Sequence, residues 1–306
     1  MSNTYGSKFR LTTFGESHGP AVGGIIDGCP SNVSINLDDI NADLARRRVG
    51  APRQESDEVE WLSGFKDGLT LGTPIAFLVR NRNVHSEDYD LLADCFRPGH
   101  ADFTYEKKYG IRDHRGGGRA SARETVVRVV AGAIAKQLLP GIAFQTWVEE
   151  PTSAIPENDS LGGLVKCCVT GVKAGVGDPL FGKLNAQLAA AMMSIPSAMG
   201  FEMGGGFAAA QMRGSEYIDR FTPNLSPLTS TNHCGGIQGG ISNGMPIEFR
   251  VAFHPVVTIP QPVECLHDDG RLESLTIGGR HDRYHIKRAA VVVEAMAALC
   301  LANYLL

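Results

Sequence analysis

The 306-residue sequence predicts an α+β fold organised as one domain over residues 1–306, and three observations carry that expectation. Strand-like and helix-like segments are intermixed without a strict strand-helix-strand repeat, which favours α+β over a doubly wound sheet. No fixed-period repeat, low-complexity tract or long Gly/Ser linker divides the chain. Apolar residues make up 43% and charged residues 20%, enough to bury a core, and no continuous uncharged apolar run is long enough to cross a bilayer.

The elements follow in order. Ala21–Ile26 reads as a strand, and Leu37–Ala45 as a helical segment whose end is marked by Arg46, Arg47 and Arg48, cations that suit a helix C-terminus. Pro74–Val79 is a second strand. A helix is predicted from Ser121 to Leu139: Ser121 and Glu124 have capping-box spacing, Val126, Val130, Ala133, Ile134 and Leu138 form an apolar stripe, and Pro140 ends it. Val165–Thr170 is a strand. The next helix is expected to start with Asp178 as N-cap and Pro179 as its first residue, to carry Leu184, Leu188, Ala191 and Met192 on one face, and to stop before Pro196. Ile247–Phe253 alternates apolar and polar with period two, a half-buried strand. The last helix, from Lys287 to Leu306, is apolar nearly all round except at Glu294 and Asn303, so it belongs in a core or a subunit interface.

Composition excludes several functions. The 29 Lys and Arg against 33 Asp and Glu give a net charge of −4, which argues against a nucleic-acid coat while leaving room for a local cationic pocket. Seven cysteines without a CxxC pair read as reduced, mostly buried thiols, and no ligand spacing points to a metal. His281 and His285 are four apart but read as part of a turn. No signal-peptide pattern opens the chain, and a cytoplasmic location is expected. Rossmann and P-loop motifs are missing. The outlier is glycine: 36 residues, about 12% against a usual ~7%.

Those glycines coincide with arginine and histidine. Arg112-Asp-His-Arg115-Gly-Gly-Gly-Arg119-Ala-Ser121-Ala-Arg123-Glu124 joins a triple glycine, a helix start and four arginines. Glycine lets the main chain approach a ligand, a helix N-terminus offers free N–H groups, and guanidinium suits bidentate contact with phosphate or carboxylate. The plainer alternative is a solvated turn with surface arginines. His18 stands in Gly15-Glu-Ser17-His-Gly19 and His100 in Arg97-Pro-Gly-His-Ala-Asp102, both loops where a glycine permits close ligand contact. Gly278-Gly-Arg280-His-Asp282 repeats the pattern, and Asn232–Ser242 adds two Gly-Gly pairs. Gly15–Gly19 also matches GxSxG formally, without the strand-turn-helix setting of a nucleophile elbow. The residues point to an enzyme with an arginine-lined pocket for a polyanionic small molecule and histidines as proton carriers. The alternatives are a non-catalytic anion-binding module or another enzyme acting on a phosphorylated small molecule.

The segments Thr12–Gly19, Phe96–Asp102, Lys108–Asp113, Arg115–Glu124, Met193–Ile195, Gly235–Ser242 and Gly279–Asp282 resemble, in order, the chorismate synthase family. The resemblance implies a single-domain β-α-β sandwich, a homotetramer, and anti-1,4-elimination of phosphate from 5-enolpyruvylshikimate 3-phosphate with reduced FMN. It implies His18, His100 and Asp282 as catalytic residues. It places flavin contacts at Arg119, Ala120, Ser121, Pro196, Ser197, Gly239, His254, Pro255, Val256, Val257, Thr258 and Arg280. An NADPH-associated arginine is implied at Arg47, NADPH serving only if the protein reduces flavin itself. Substrate contacts are implied at Ser17, Arg47, Arg97, Arg119 and Arg280. The chain departs from the family at His254, Ala120, Pro196-Ser197 and Arg283, and its segments between Arg48 and Glu60 and between Trp147 and Pro156 are shorter than usual.

Overall fold

The computed structural model describes residues 3–149, 151, 153–155, 157–223, 227–278 and 281–306. Side-chain alternation decides the sheets. In Ile247–Phe253, Ile247, Phe249, Val251 and Phe253 are buried on one face. That strand pairs antiparallel with Gly163–Thr170 and Ala198–Met203, and Ala143–Val148 completes a four-stranded sheet on the far side of Gly163–Thr170. A second, five-stranded antiparallel sheet runs in the order Thr4–Tyr5, Arg10–Gly15, Ala21–Asp27, Ile75–Arg80, Val59–Trp61.

Helices fill the space between the sheets. They are α1 (Leu37–Arg48), α3 (Thr125–Gln137), α4 (Leu184–Met193) and α6 (Ile286–Leu305); α2 (Asp102–Tyr109) and the single turn α5 (Gly214–Tyr217) lie outside this layer. α3 packs on α6 and on the strands Arg10–Gly15, Ala21–Asp27 and Ile75–Arg80, while α6 packs on Ala143–Val148 and Gly163–Thr170. A helix clad on both sides needs apolar residues all round, which is why the α6 sequence has no polar stripe. By length and composition α6 could cross a membrane, but 78% of its most apolar window is buried inside this chain. The result is the β-α-β sandwich that the resemblance implies, with one continuous core through both sheets. Gly132 sets the α3–α6 distance, since a Cβ there would stand 2.4 Å from that of Ala295.

Glu294, the charged interruption of α6, is 3% exposed and ties three elements together. It accepts from Arg46 Nη1 and Nη2 of α1 at 2.8 and 2.6 Å, from Lys136 of α3 at 2.9 Å and from Thr146 Oγ1 at 2.7 Å. Burial alone would raise its pKa; Arg46, Lys136 and Thr146 outweigh it and hold the carboxyl at about 2.

Two helix starts differ from the expected ones. Ser121 Oγ does accept from Arg123 N at 3.3 Å, but Glu124 does not close the box: its carboxylate takes Arg128 at 2.9 Å, residues 122–124 form a 3-10 turn, and α3 begins at Thr125. The Asp178-Pro179 start is five residues too early. Gly182 folds against the Asp178 side chain in a tight turn, and the first amide of α4, Leu184 N, donates to Gly240 O at 2.9 Å. A tertiary carbonyl replaces the expected side-chain cap.

A third, small sheet of Cys95–Phe96, Pro262–His267 and Leu272–Thr276 has its own core of Leu92, Cys95, Cys265 and Ile277. It leads directly into Arg97 and His100.

Candidate active site

The sheets and the small third sheet frame a cavity of about 1570 Å³. Its floor is the triple glycine. Gly116, Gly117 and Gly118 have φ of 62°, 83° and 52°, a left-handed run that a side chain would strain, and it bends the chain around the cavity before the turn into α3. A Cβ on Gly116 would lie 2.4 Å from His18 Cδ2, so the glycine is required for the histidine to pack there.

The arginines divide between cavity and core. Arg97, Arg112, Arg115, Arg119 and Arg288 line the cavity. Arg119 Nη2 donates to Thr13 O at 3.0 Å and to Thr13 Oγ1, while Nη1 is buried with no partner among the described residues; Arg112 Nη1 is in the same state. Arg97 spends Nε and Nη2 on Asp102, at 2.7 and 2.9 Å, in a fully desolvated pair. Burial would raise the Asp102 carboxyl, but the Arg97 guanidinium holds it below the ordinary range. Arg115 is paired with Asp113. Arg123, one of the four arginines of the motif, instead faces inward onto Asp57, Asn81 Oδ1 and Arg80 O. Arg47 joins it: its Nε donates to Thr125 Oγ1 at 3.1 Å and Nη2 to Ala122 O at 3.1 Å, beside Asp57, and burial lowers its pKa to about 10.

Of the three residues implied as catalytic, His100 and Asp282 line the large cavity. His100 Nε2 is 2.7 Å from Thr258 Oγ1 and Nδ1 is 3.2 Å from Pro98 O; burial, then Arg97, lower its pKa below the ordinary histidine value. Asp282 is bonded to Arg288 and accepts from Tyr284 N at 3.3 Å. His18 opens into an adjoining polar cavity of about 130 Å³ with Ser17, Arg53 and His85; Tyr89, Gly116 and Ser121 wall both cavities. Ser17 Oγ donates to Gly116 O at 3.1 Å.

Ala120, Ser121, Pro196, Ser197, His254, Val256, Val257 and Thr258 also line the large cavity. Ser197 holds φ of 68°, unusual for a residue with a side chain, and its Oγ is 2.8 Å from His285 Nε2. The structure does not bring every candidate here. Arg47 lies behind the wall; Pro255 neighbours the lining without forming it; Gly239 sits in the Ile237–Ser242 hairpin with open space around its Cβ position. Arg280 lies outside the described residues. Sequence reasoning missed Tyr89, His285 and Arg288, whose placement depends on contacts across the whole chain. His285 is kept neutral by burial, then by His254, which lower its pKa to about 4.

Comparison with known proteins fits this geometry. The family model described as chorismate synthase matches residues 9–153 and 143–306. The chain belongs to the chorismate synthase family. A chorismate synthase from Christiangramia forsetii is 46% identical over 99% of this chain and 97% of its own length. One from Porphyromonas gingivalis is 47% identical over 98% and 95%, and one from Synechocystis sp. is 45% identical over 100% and 98%. A crystal structure of chorismate synthase superposes with a TM-score of 0.76 at 29% identity, covering 98% of this chain and 92% of that one. The two family-model segments overlap over residues 143–153. The alignments with chorismate synthases span 346 and 348 positions, so those relatives carry segments inside the matched span that this chain lacks.

Proposed function

We propose that this protein catalyses the last common step of aromatic amino acid biosynthesis, the carbon–oxygen lyase reaction that turns 5-enolpyruvylshikimate 3-phosphate into chorismate and inorganic phosphate with reduced FMN. The observation that carries this is the convergence of a glycine cradle, five cavity-lining arginines, His100 and Asp282 on one large cavity in a chain of this family.

The residues fit a flavin beside a polyanionic substrate. Arg112 and Arg119 each keep a buried Nη1 amino group with no acceptor among the described residues, a cost of about 1–3 kcal/mol that an anion would relieve. Val256 and Val257 supply apolar lining, and Ala120 and Ser197 also line the cavity. When bound, reduced FMN supplies electron density to the allylic system as the phosphate leaves, and the overall reaction stays redox neutral.

The chain's own residues handle charge and protons. The cavity arginines hold the phosphate and carboxylates and stabilise negative charge as it moves onto the leaving phosphate. His18 gives a proton to that phosphate as its bond to C3 breaks. Asp282 assists removal of the C6 proton by accepting it, so the electron pair of the C6–H bond enters the new diene as the C3–O pair departs with the phosphate. His100, held by Thr258 Oγ1, would exchange a proton with reduced flavin bound in this cavity.

Arg47 bears on the electron source. Its guanidinium is engaged by Thr125, Ala122 and Asp57 behind the cavity wall, which favours dependence on externally reduced flavin over an NADPH site of its own. Large exposed apolar side chains, Phe181 at 95%, Phe207 at 79% and Phe221 at 71%, favour assembly as a homotetramer, checked by sedimentation equilibrium; a monomer at micromolar concentration would contradict it.

Anaerobic incubation with 5-enolpyruvylshikimate 3-phosphate and chemically reduced FMN should yield the chorismate absorbance. Oxidised FMN plus NADPH should not, and no chorismate under either condition would overturn the proposal.

A further inference from the structure

The 3-10 turn Ser86–Leu92 lies against the glycine turn and reaches both sides of the site. Its first residue, Ser86, places Oγ 3.1 Å from His18 Nδ1. One turn later, Tyr89 meets the His18 ring edge to face, with centroids 5.0 Å apart and planes at 80°, and lies 5.9 Å from the Arg97 guanidinium carbon. On the opposite side the ring is bounded by Gly116, whose added Cβ would come within 2.5 Å of Nε2. Three contacts from two turns therefore determine both the plane of the imidazole and which nitrogen points where.

We propose that Ser86 is the positioning residue for His18, fixing Nδ1 toward the turn and Nε2 toward the glycine cradle, with Tyr89 holding the ring plane. The proposal rests on the reading of His18 as the proton donor to the leaving phosphate. In the imidazolium, Nδ1–H donates to Ser86 Oγ and Nε2–H faces the anion. When the Nε2 proton passes to phosphate, the Nδ1–H bond to Ser86 is untouched, so the ring carries out the transfer without turning. A hydroxyl suits this place because it accepts from Nδ1–H without adding a charge that would compete for the anion.

The test compares kinetics with a spectroscopic signature of the ring. Ser86→Ala should lower kcat about tenfold at nearly constant KM for 5-enolpyruvylshikimate 3-phosphate, the scale expected from a slightly misplaced proton carrier. FMN affinity and thermal midpoint should stay unchanged, and Ser86→Thr, which keeps the hydroxyl, should restore kcat. In the wild-type holoenzyme, nitrogen-15 NMR should show His18 Nδ1 protonated and hydrogen-bonded; in Ser86→Ala the ring should relax toward a mixture of tautomers. Wild-type kcat in Ser86→Ala, together with a large loss in His18→Ala, overturns the positioning role alone. Wild-type kcat in His18→Ala overturns the reading of His18 beneath it. A wild-type ring protonated only at Nε2 contradicts the proposal whether or not the alanine variant folds.

Discussion

Gly116 concentrates the residue-scale argument. Its φ of 62° and its contact with His18 both forbid a side chain. Gly116→Ala should cost about 1–2 kcal/mol in stability. It should also displace His18 and lower turnover at least tenfold. Gly141→Ala has a similar φ of 82° but open space, so it should show the backbone penalty with normal turnover; equal kinetic effects would contradict the packing account. His100 gives the pH-dependent case. Burial and Arg97 lower its pKa, so at neutral pH it is mostly neutral, and an anion placed beside it raises that pKa again. Substrate binding near pH 7 should therefore take up a fraction of a proton per site, read by calorimetry in buffers of different ionisation enthalpy and lost in His100→Ala. Both histidines and the triple glycine were legible in the sequence, because local composition marks a loop that approaches a ligand. The fate of each arginine was not. Arg123 and Arg47 turn inward because Asp57 meets them both, and that carboxylate reaches them only once α1, α3 and the five-stranded sheet are assembled.

At the scale of elements, periodicity identified α1, α3, α4 and α6 and the strands around Ile25, Phe77, Val169 and Val251, since each buries a face against a neighbour. Helix starts were less legible. A cap depends on one or two hydrogen bonds, and at α4 the carbonyl of Gly240, far along the chain, takes the place of Asp178. α6 illustrates the opposite: its single glutamate looked like an interruption and is a junction of three elements. Glu294→Ala removes the buried anion shared by Arg46 and Lys136, leaves them Asp43, and should cost about 2 kcal/mol, measured by denaturant unfolding. Because folding depresses the Glu294 pKa to about 2, from ~4.3 in an unfolded chain, its contribution is complete above that unfolded value and is lost as pH falls toward 2. Acid unfolding of the wild type should be correspondingly steep, and the Glu294→Gln variant should lose part of that steepness. An unchanged acid transition in Glu294→Gln would contradict this role.

For the whole molecule, two sheets held apart by one buried helical layer create a rigid frame, and the small third sheet carries Arg97 and His100 to its edge. The cavity between them exists only in the assembled fold, which is why no stretch of sequence discloses its size or shows that His18 occupies an adjoining chamber. Its volume, the unpaired guanidinium N–H groups and the proton carriers around it support one central claim: this cavity converts a phosphorylated enolpyruvyl substrate to chorismate without net redox change. The most direct measurement is an anaerobic single turnover with enzyme in excess over 5-enolpyruvylshikimate 3-phosphate and reduced FMN present. The account predicts chorismate and inorganic phosphate in equal amounts, with the flavin still reduced at the end. Phosphate released without chorismate, or flavin oxidised in proportion to product, would contradict it.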